Sequence, residues 1–382
     1  MSTSIATAAE TVSNVRLDET LLLYPTAARL ARDGQTWAVP LHGIVLRPAV
    51  GGLVNTALLS ILRRYARIKK VQGRTENFQR RARAFLADNV RNREIFVRIG
   101  ERTYSAGVSG RNGHFAATIQ VPVAEVDWLR ASEIFNSSNA EHGGQAEHSN
   151  NGAHDSPADP WLTCEAVLPD DFPRSVIGQT QLLAETGVSV VTDVDDTIKI
   201  SNVADRRLLL LNTFVKPFMA VPGMADVFQR WAARGAAFHY ISASPWQLFV
   251  PLDEFRENRG FPAGAWDMKF SNWKTAPVRK LFGSHTSYKQ GKIEPLLKTF
   301  PRRRFIFVGD AGQHDPEAYG QLARAYPRQI ARIFIRNLGE EDMPNKRLHH
   351  AFAGVPAEKW NVFRVAEELL DFGIETSRTV FV

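Results

Sequence analysis

Three carboxylates within four positions, Asp193, Asp195 and Asp196, follow the apolar run Val188-Ser-Val-Val-Thr192 and precede Thr197. A strand core does not hold that many acids without a cation or several donors to meet them. Carboxylates two apart near a strand end can point to one side and divide labour, one attacking and the other moving protons. Three further segments carry matching chemistry. Phe238-His-Tyr-Ile-Ser242-Ala243-Ser244-Pro reads as a strand ending in small hydroxyls, with backbone N–H groups free for a phosphate oxygen before a helix. Lys289-Gln-Gly-Lys292-Ile-Glu offers a lysine, at 289 or 292, to hold phosphate and offset the acids. Phe305-Ile-Phe-Val-Gly-Asp310-Ala-Gly-Gln-His-Asp315 is a strand followed by two acids, and this density of oxygen ligands suits Mg²⁺.

The elements that must position these residues follow from the texture of the chain. Apolar runs at 188–192, 236–242, 304–308 and 331–335 alternate with helical segments at 221–235, 247–260, 291–300 and 315–326. That alternation predicts a parallel sheet with helices on both faces, whose ligand edge lies at the strands' carboxyl ends. Residues 1–20 read as a flexible tail without a secretory signal. Residues 21–164 read as a small β-rich, sandwich-like domain with helices at 57–70 and 76–89, a hairpin turn at Asn112-Gly113 and a disordered polar loop over 136–160. Its histidines, His142, His148 and His154, are read as incidental. The α/β domain that carries the four segments is expected over 165–382.

Charge and composition bound the partners. Net charge is +7, and residues 61–102 hold 13 Lys/Arg against 4 Asp/Glu. Such a run is either a solvated basic face or an attraction for anionic lipid. No zinc-finger, helix-turn-helix or RNA-recognition signature accompanies it, so no nucleic-acid partner is expected. The single cysteine, Cys164, excludes an intrachain disulfide framework and fits a reducing, cytoplasmic setting. No apolar stretch approaches the ~20 residues of a membrane span. The chain carries no signal for an oligomeric state.

Taken in order, the four segments resemble the haloacid dehalogenase superfamily of phosphohydrolases. Asp193-Val-Asp-Asp-Thr-Ile-Lys, Ser242-Ala-Ser-Pro-Trp-Gln-Leu, Lys292-Ile-Glu and Gly309-Asp-Ala-Gly-Gln-His-Asp-Pro-Glu are similar to the catalytic domain of the actin-patch-type phosphatidate phosphatases, relatives of lipin. The resemblance spans about residues 165–345. It implies an α/β fold, a Rossmann-like haloacid dehalogenase domain with a parallel sheet and little or no cap. It implies a Mg²⁺-dependent phosphatase that turns phosphatidate into diacylglycerol through an aspartyl-phosphate. In that frame Asp193 is the nucleophile, and Asp195 the general acid/base with its carbonyl on the metal. Ser242, with the Ala243 amide and Thr197, binds the phosphoryl group. Lys292 balances its charge, with Lys289 the rival. Asp310 completes the metal site, and Asp315 ligates or supports it. Ser244 is expected to cap a helix.

The gaps from Asp196 to Ser242 and from Ser244 to Lys292 hold 45 and 47 residues, too few for a separate cap domain. A weakly covered site suits a lipid substrate and peripheral membrane association. The apolar stretch 208–219 is then either core or lipid-facing, as are Trp246, Trp266 and Trp273. Two alternatives remain open: a phosphatase for another phosphomonoester, such as a nucleic-acid end or a phosphoprotein, and a non-catalytic phosphatidate-binding module. The presence of both Asp193 and Asp195 speaks against a pure binder.

Overall fold

The computed structural model describes residues 11–48, 76–140, 160–270, 286–339, 345–370 and 372. The chain divides into two compact units: residues 1–48, 87–155 and 160–183 in one, and 49–86, 156–159 and 184–382 in the other.

The first unit is built on one nine-stranded sheet. Its strands are β1 (Thr20–Leu23), β2 (Thr26–Leu30), β3 (Thr36–Arg47), β4 (Asp88–Asn89), β5 (Glu94–Ile99), β6 (Arg102–Val108), β7 (His114–Pro122), β8 (Trp161–Ala166) and β9 (Ile177–Leu183). All pairings are antiparallel except β2 with β9. The long β3 pairs with β1, β2, β4 and β7. Alternation along these strands buries one face, and Leu21, Val39, Val45, Ile95, Val97, Ala106 and Leu182 meet in a single cluster. A tight turn joins β6 to β7 at Gly113, which takes φ +76° and where a side chain would strike the Val45 carbonyl, but the expected hairpin ladder is not what forms: β6 pairs with β5 and β7 with β3. Helix α2 (Val123–Ala140) follows β7 and runs past position 136, where a polar loop was expected. Residues 141–159, with the three histidines, lie outside the described residues. Cys164 is buried on β8, and burial pushes its thiol up to about 11, which leaves it unreactive.

Two pieces of chain fall differently from the expected boundaries. β9 lies beyond position 164 yet pairs with β8 and β2 in this first sheet. Helix α1 (Glu76–Leu86), in the stretch between β3 and β4, belongs to the second unit, where Arg81 donates to the carbonyls of Thr213 (2.9 Å) and Lys216 (2.8 Å). The companion helix expected at 57–70 lies outside the described residues. Among the described residues of the basic run, Arg81 is buried, while Arg93 pairs with Glu19 and Arg98 with Glu165; residues 61–75 lie outside the described residues.

The second unit carries a six-stranded, wholly parallel sheet. Its strands are β10 (Val188–Thr192), β11 (Ala237–Pro245), β12 (Ala265–Lys269), β13 (Arg304–Asp310), β14 (Ile330–Arg336) and β15 (Trp360–Phe363). Their order is β12-β11-β10-β13-β14-β15. The order of strands therefore turns back between β10 and β13, and the carboxyl ends at such a switch point are where open parallel sheets bind ligands. The connections carry α3 (Arg206–Phe214), α4 (Met224–Ala232), α5 (Phe249–Asn258), α6 (Thr286–Thr299), α7 (Asp315–Ala325) and α8 (Lys346–Ala351). Every residue of β10 and β11 is buried, as central strands covered on both faces must be.

The stretch 208–219 faces mainly inward: Leu209, Leu210, Phe214 and Phe218 are buried, and Met219 is exposed. Trp246 and Trp266 are core residues, Trp266 stacking on Tyr240 at 4.8 Å; Trp273 lies outside the described residues. No described helix is long and apolar enough to cross a membrane.

One buried histidine makes this unit acid-sensitive. His239 on β11 lies 3.2 Å from Ser189 Oγ, and Arg303 donates to that same oxygen at 3.0 Å. Burial, then Arg303, lowers the imidazole to about 3. Its folded value is below the unfolded one of ~6.5, so the stability it permits is complete above pH ~6.5 and declines as pH falls toward 3. Between pH 7.5 and 5 this group alone costs roughly 2 kcal/mol. Thermal melts should show His239→Gln losing less stability than the wild type over that interval; equal losses would contradict the assignment.

Candidate active site

The carboxyl edge between β10 and β13 gathers the acids. Asp193 follows β10 directly, and its N–H still bonds the Val308 carbonyl at 2.9 Å, which keeps it in register with β13. The chain then turns sharply: the N–H groups of Ile198 and Lys199 both return to the Val194 carbonyl, at 3.1 and 3.0 Å. This turn brings Thr197 Oγ1 within 3.5 Å of Asp193 Oδ2 and Lys199 Nζ within 2.8 Å of Asp195 Oδ1. Asp196 holds the turn open at φ +60°, a conformation that Asp tolerates. Its carboxylate accepts the N–H groups of Ser201, Asn202 and Val203, each at 2.7 Å, and its carbonyl accepts Arg336 Nη1 at 2.7 Å. Asp196 therefore shapes the loop.

Asp310 ends β13, and Asp315 opens α7, with Pro316 in the first turn. Ligand oxygens of Asp193, Asp310 and Asp315 lie within 4.8 Å of one another, and all three residues are buried. Gly309 makes the approach possible: a Cβ there would stand 2.3 Å from Asp315 Oδ2. Asp310 Oδ1 accepts the N–H groups of Gly312 (2.6 Å) and Gln313 (3.2 Å), and Asp315 Oδ2 accepts that of Asp310 (3.2 Å). Arg347 braces the loop by donating to the Ala311 carbonyl at 2.5 Å and pairing with Glu317.

The lysine at this cluster is Lys289, not Lys292. Lys289 Nζ lies 2.8 Å from Asp193 Oδ1 and also bonds Asp315 Oδ1. Lys292, the residue the resemblance favoured, pairs instead with Asp267 at 2.8 Å and stands over the Phe270 ring. Helix geometry explains the choice. Lys289, Ile293 and Leu297 recur every four residues and form the buried stripe of α6, whereas position 292 falls off that stripe.

The Asp195 side chain, expected to move protons rather than to hold the metal, lies outside the cluster of Asp193, Asp310 and Asp315. Oδ1 accepts Lys199 at 2.8 Å and Ser201 Oγ at 2.6 Å; Oδ2 accepts Ser244 Oγ at 2.7 Å and, more weakly, Ser242 Oγ at 3.4 Å. Ser244 is thus a partner of Asp195 rather than a helix cap; Pro245 takes the capping position of the next turn. Nor does β11 stop at Ser242. It continues through Ala243 to Pro245 after an irregularity in register, and Ser242 Oγ accepts the Ser244 N–H at 3.0 Å, so that amide is not free. Tyr288, from α6, donates to the Ser242 carbonyl at 3.0 Å. Lys199, Ser201 and Tyr288 were not singled out in the sequence, although the spacing of Asp195 and Lys199 by four was visible.

Electrostatics separate the two leading acids. Burial pushes Asp193 up to about 7; Lys289 opposes the rise, and Asp315 and Asp195 add to it. Burial, with Asp315 and Asp193, raises Asp310 well above the usual range. Asp195 goes the other way. Burial works against its charge, but Lys199, Ser201 and Ser244 outweigh it and hold the carboxyl at about 2. Lys289 stays charged because Asp193 and Asp315 overcome its burial.

A divalent cation fits this cluster. Three buried carboxylates face one ammonium, and Asp310 Oδ2 is buried with no hydrogen-bond partner among the described residues. Oxygen-only donors with uncompensated negative charge are the ligand set of a hard dication such as Mg²⁺.

A doubly wound parallel sheet with an acidic, cation-ready crevice at its switch point is the frame of a phosphoryl- or nucleotide-handling enzyme. The comparisons narrow the class. Residues 188–337 match the family model described as phosphatidate phosphatase APP1, catalytic domain. Over 156 residues the chain is 33% identical to phosphatidate phosphatase APP1 of Saccharomyces cerevisiae, covering 39% of this chain and 26% of that protein. Over 187 residues it is 25% identical to an uncharacterized protein of Schizosaccharomyces pombe, covering 46% of this chain and 30% of that one. The chain thus spans less than a third of the length of either relative. The matched segment contains the acidic crevice, and match and crevice together mark it as a phosphatase-like enzyme domain.

Proposed function

We propose that this protein is a Mg²⁺-dependent phosphatase of the haloacid dehalogenase type, with phosphatidate as its substrate and diacylglycerol as the product. The observation that carries the reading is the buried triad Asp193, Asp310 and Asp315 with Lys289 on it and one carboxylate oxygen unpartnered. Asp193, Asp310 and Asp315 would hold the cation, with the Asp195 carbonyl a further ligand. The cation supplies positive charge that lets a phosphate dianion approach a carboxylate.

The remaining chemistry belongs to the side chains. Asp193 attacks phosphorus, the bond to the leaving oxygen breaks, and an aspartyl-phosphate forms. Lys289 offsets charge on Asp193 and on the transferring group, while Ser242 and Thr197 orient the phosphate oxygens. The leaving alkoxide takes a proton from Asp195. Asp195 then removes a proton from the water that attacks the phosphoryl group, releasing phosphate and restoring Asp193. Lys199, Ser201 and Ser244 keep Asp195 ionised at rest, so it first takes up the proton carried by the phosphomonoester monoanion, passes that proton to the leaving alkoxide, and is again the base when water attacks.

Phosphate release should be measured from phosphatidate in mixed micelles and from soluble phosphomonoesters, with Mg²⁺ and after chelation. Release from phosphatidate that falls to background on chelation and returns with Mg²⁺ is expected. Preference for soluble esters would move the substrate assignment, and binding of phosphatidate without release from any ester would overturn the enzymatic reading. Chelator-resistant turnover would overturn the cation site.

A further inference from the structure

Behind Asp195 runs a line of packed charge of which the chemistry above uses only the first member, Lys199. Lys199, which grips Asp195, is itself buried and lies 4.9 Å from the centroid of the Phe218 ring. The guanidinium of Arg81, from α1, lies 3.7 Å from the centroid of that same ring. Phe218 is buried and packs edge-on against Phe255 at 6.0 Å. Arg81 also fixes the chain leading to Phe218, through its bonds to the Thr213 and Lys216 carbonyls. The Lys199 backbone bridges to Ala220, two residues beyond Phe218. One aromatic ring thus shares its π-cloud between two buried cations, one anchored on α1 and the other on the acid/base carboxylate.

A buried arginine is costly to keep, and burial lowers Arg81 to about 10. Two carbonyls and a ring face repay part of that cost. A core leucine would fill space at 81 without it, but would not hold the carbonyl at 216 or the ring at 218. Helix α1 lies between β3 and β4 in the chain yet belongs to the second unit. Through Arg81 it reaches the ring on which Lys199 packs, although it lies outside the matched residues 188–337.

We propose that Arg81 is a positioning residue for Asp195, acting through Phe218 and Lys199. Helix α1 is then part of the catalytic apparatus of the second unit. This rests on the phosphatase reading and on Asp195 serving the leaving group. Loosening Arg81 frees the ring, the ring frees Lys199, and Asp195 loses its fixed place.

The test is a double-mutant cycle on kcat/KM for an alkyl phosphomonoester, with Arg81→Met, Asp195→Asn and both together. Arg81→Met should lower kcat/KM about tenfold in the wild-type background and less than about twofold when Asp195 is already Asn. An aryl phosphate with a good leaving group needs no proton donor, so its kcat/KM should be nearly unchanged in Arg81→Met. Phe218→Leu, which keeps apolar volume and removes the ring face, should reproduce the same ester-dependent loss. A purely structural role lowers the active fraction, so it would reduce both esters equally and add fully to Asp195→Asn; that result would overturn the proposal while leaving the phosphatase reading standing. Turnover of neither ester by the wild type would overturn both.

Discussion

Asp193→Asn should reduce phosphate release by at least ~10⁴-fold, the scale seen when a covalent nucleophile is removed. The amide is nearly isosteric, so the Asp193 backbone bond to Val308 and the packing of β10 survive. The charge does not. An amide is a poor nucleophile, and it weakens the cation site by one of its three carboxylates. Stability should move in the opposite direction to activity. Asp193 is raised to about 7, chiefly by burial, so its ionised form is disfavoured in the folded state at neutral pH and above. Removing that charge relieves repulsion from Asp315 and Asp195, while Lys289 keeps Asp315. In chelator, the thermal midpoint of Asp193→Asn should equal or exceed that of the wild type. Turnover within tenfold of wild type would remove Asp193 from the nucleophile's place.

The second large effect separates two lysines three residues apart. Lys289→Met leaves the triad without its ammonium. Breaking a buried ion pair by removing one partner costs about 3–5 kcal/mol, softened here as a carboxyl takes up a proton. Removing a positive group from the transferring phosphoryl should cost about 10²–10³ in kcat. Lys292→Met removes a partly exposed pair with Asp267, worth about 1 kcal/mol or less, and should leave turnover within a few-fold. Melts and initial rates of the two variants, side by side, check this. A larger loss of turnover in Lys292→Met would return the phosphate-facing role to Lys292.

That lysine shows where the sequence could be read and where it could not. β10, β13 and β14 were legible because central parallel strands are unbroken apolar runs, and the first two end in acids. β12 and β15 were missed because they are the sheet's two edges. Ala-Trp-Asp-Met-Lys and Trp-Asn-Val-Phe mix polar residues in, as half-covered strands can. β9 was missed because Gln-Thr-Gln interrupts it, yet Thr180 and Gln181 are buried. Lys289 had a usable signal in its spacing with Ile293 and Leu297. Motif likeness pointed past it to Lys292. The cradle of Lys199, Ser201 and Ser244 around Asp195 depends on a turn and a strand irregularity meeting in space, and no spacing in the chain announces it. Arg81 is further still from any such signal, since one arginine in a basic run gives no sign of being buried.

The most direct test of the account is to look for the covalent phosphate. The Asp195→Asn variant should form the aspartyl-phosphate from an aryl phosphate and hydrolyse it slowly, because the base that activates water is gone. After acid quenching and proteolysis, mass spectrometry should find one phosphoryl group on the peptide carrying Asp193, and none when Asp193 is also replaced by Asn. A phosphoryl group on another residue, or none while the wild type turns over, would contradict the account.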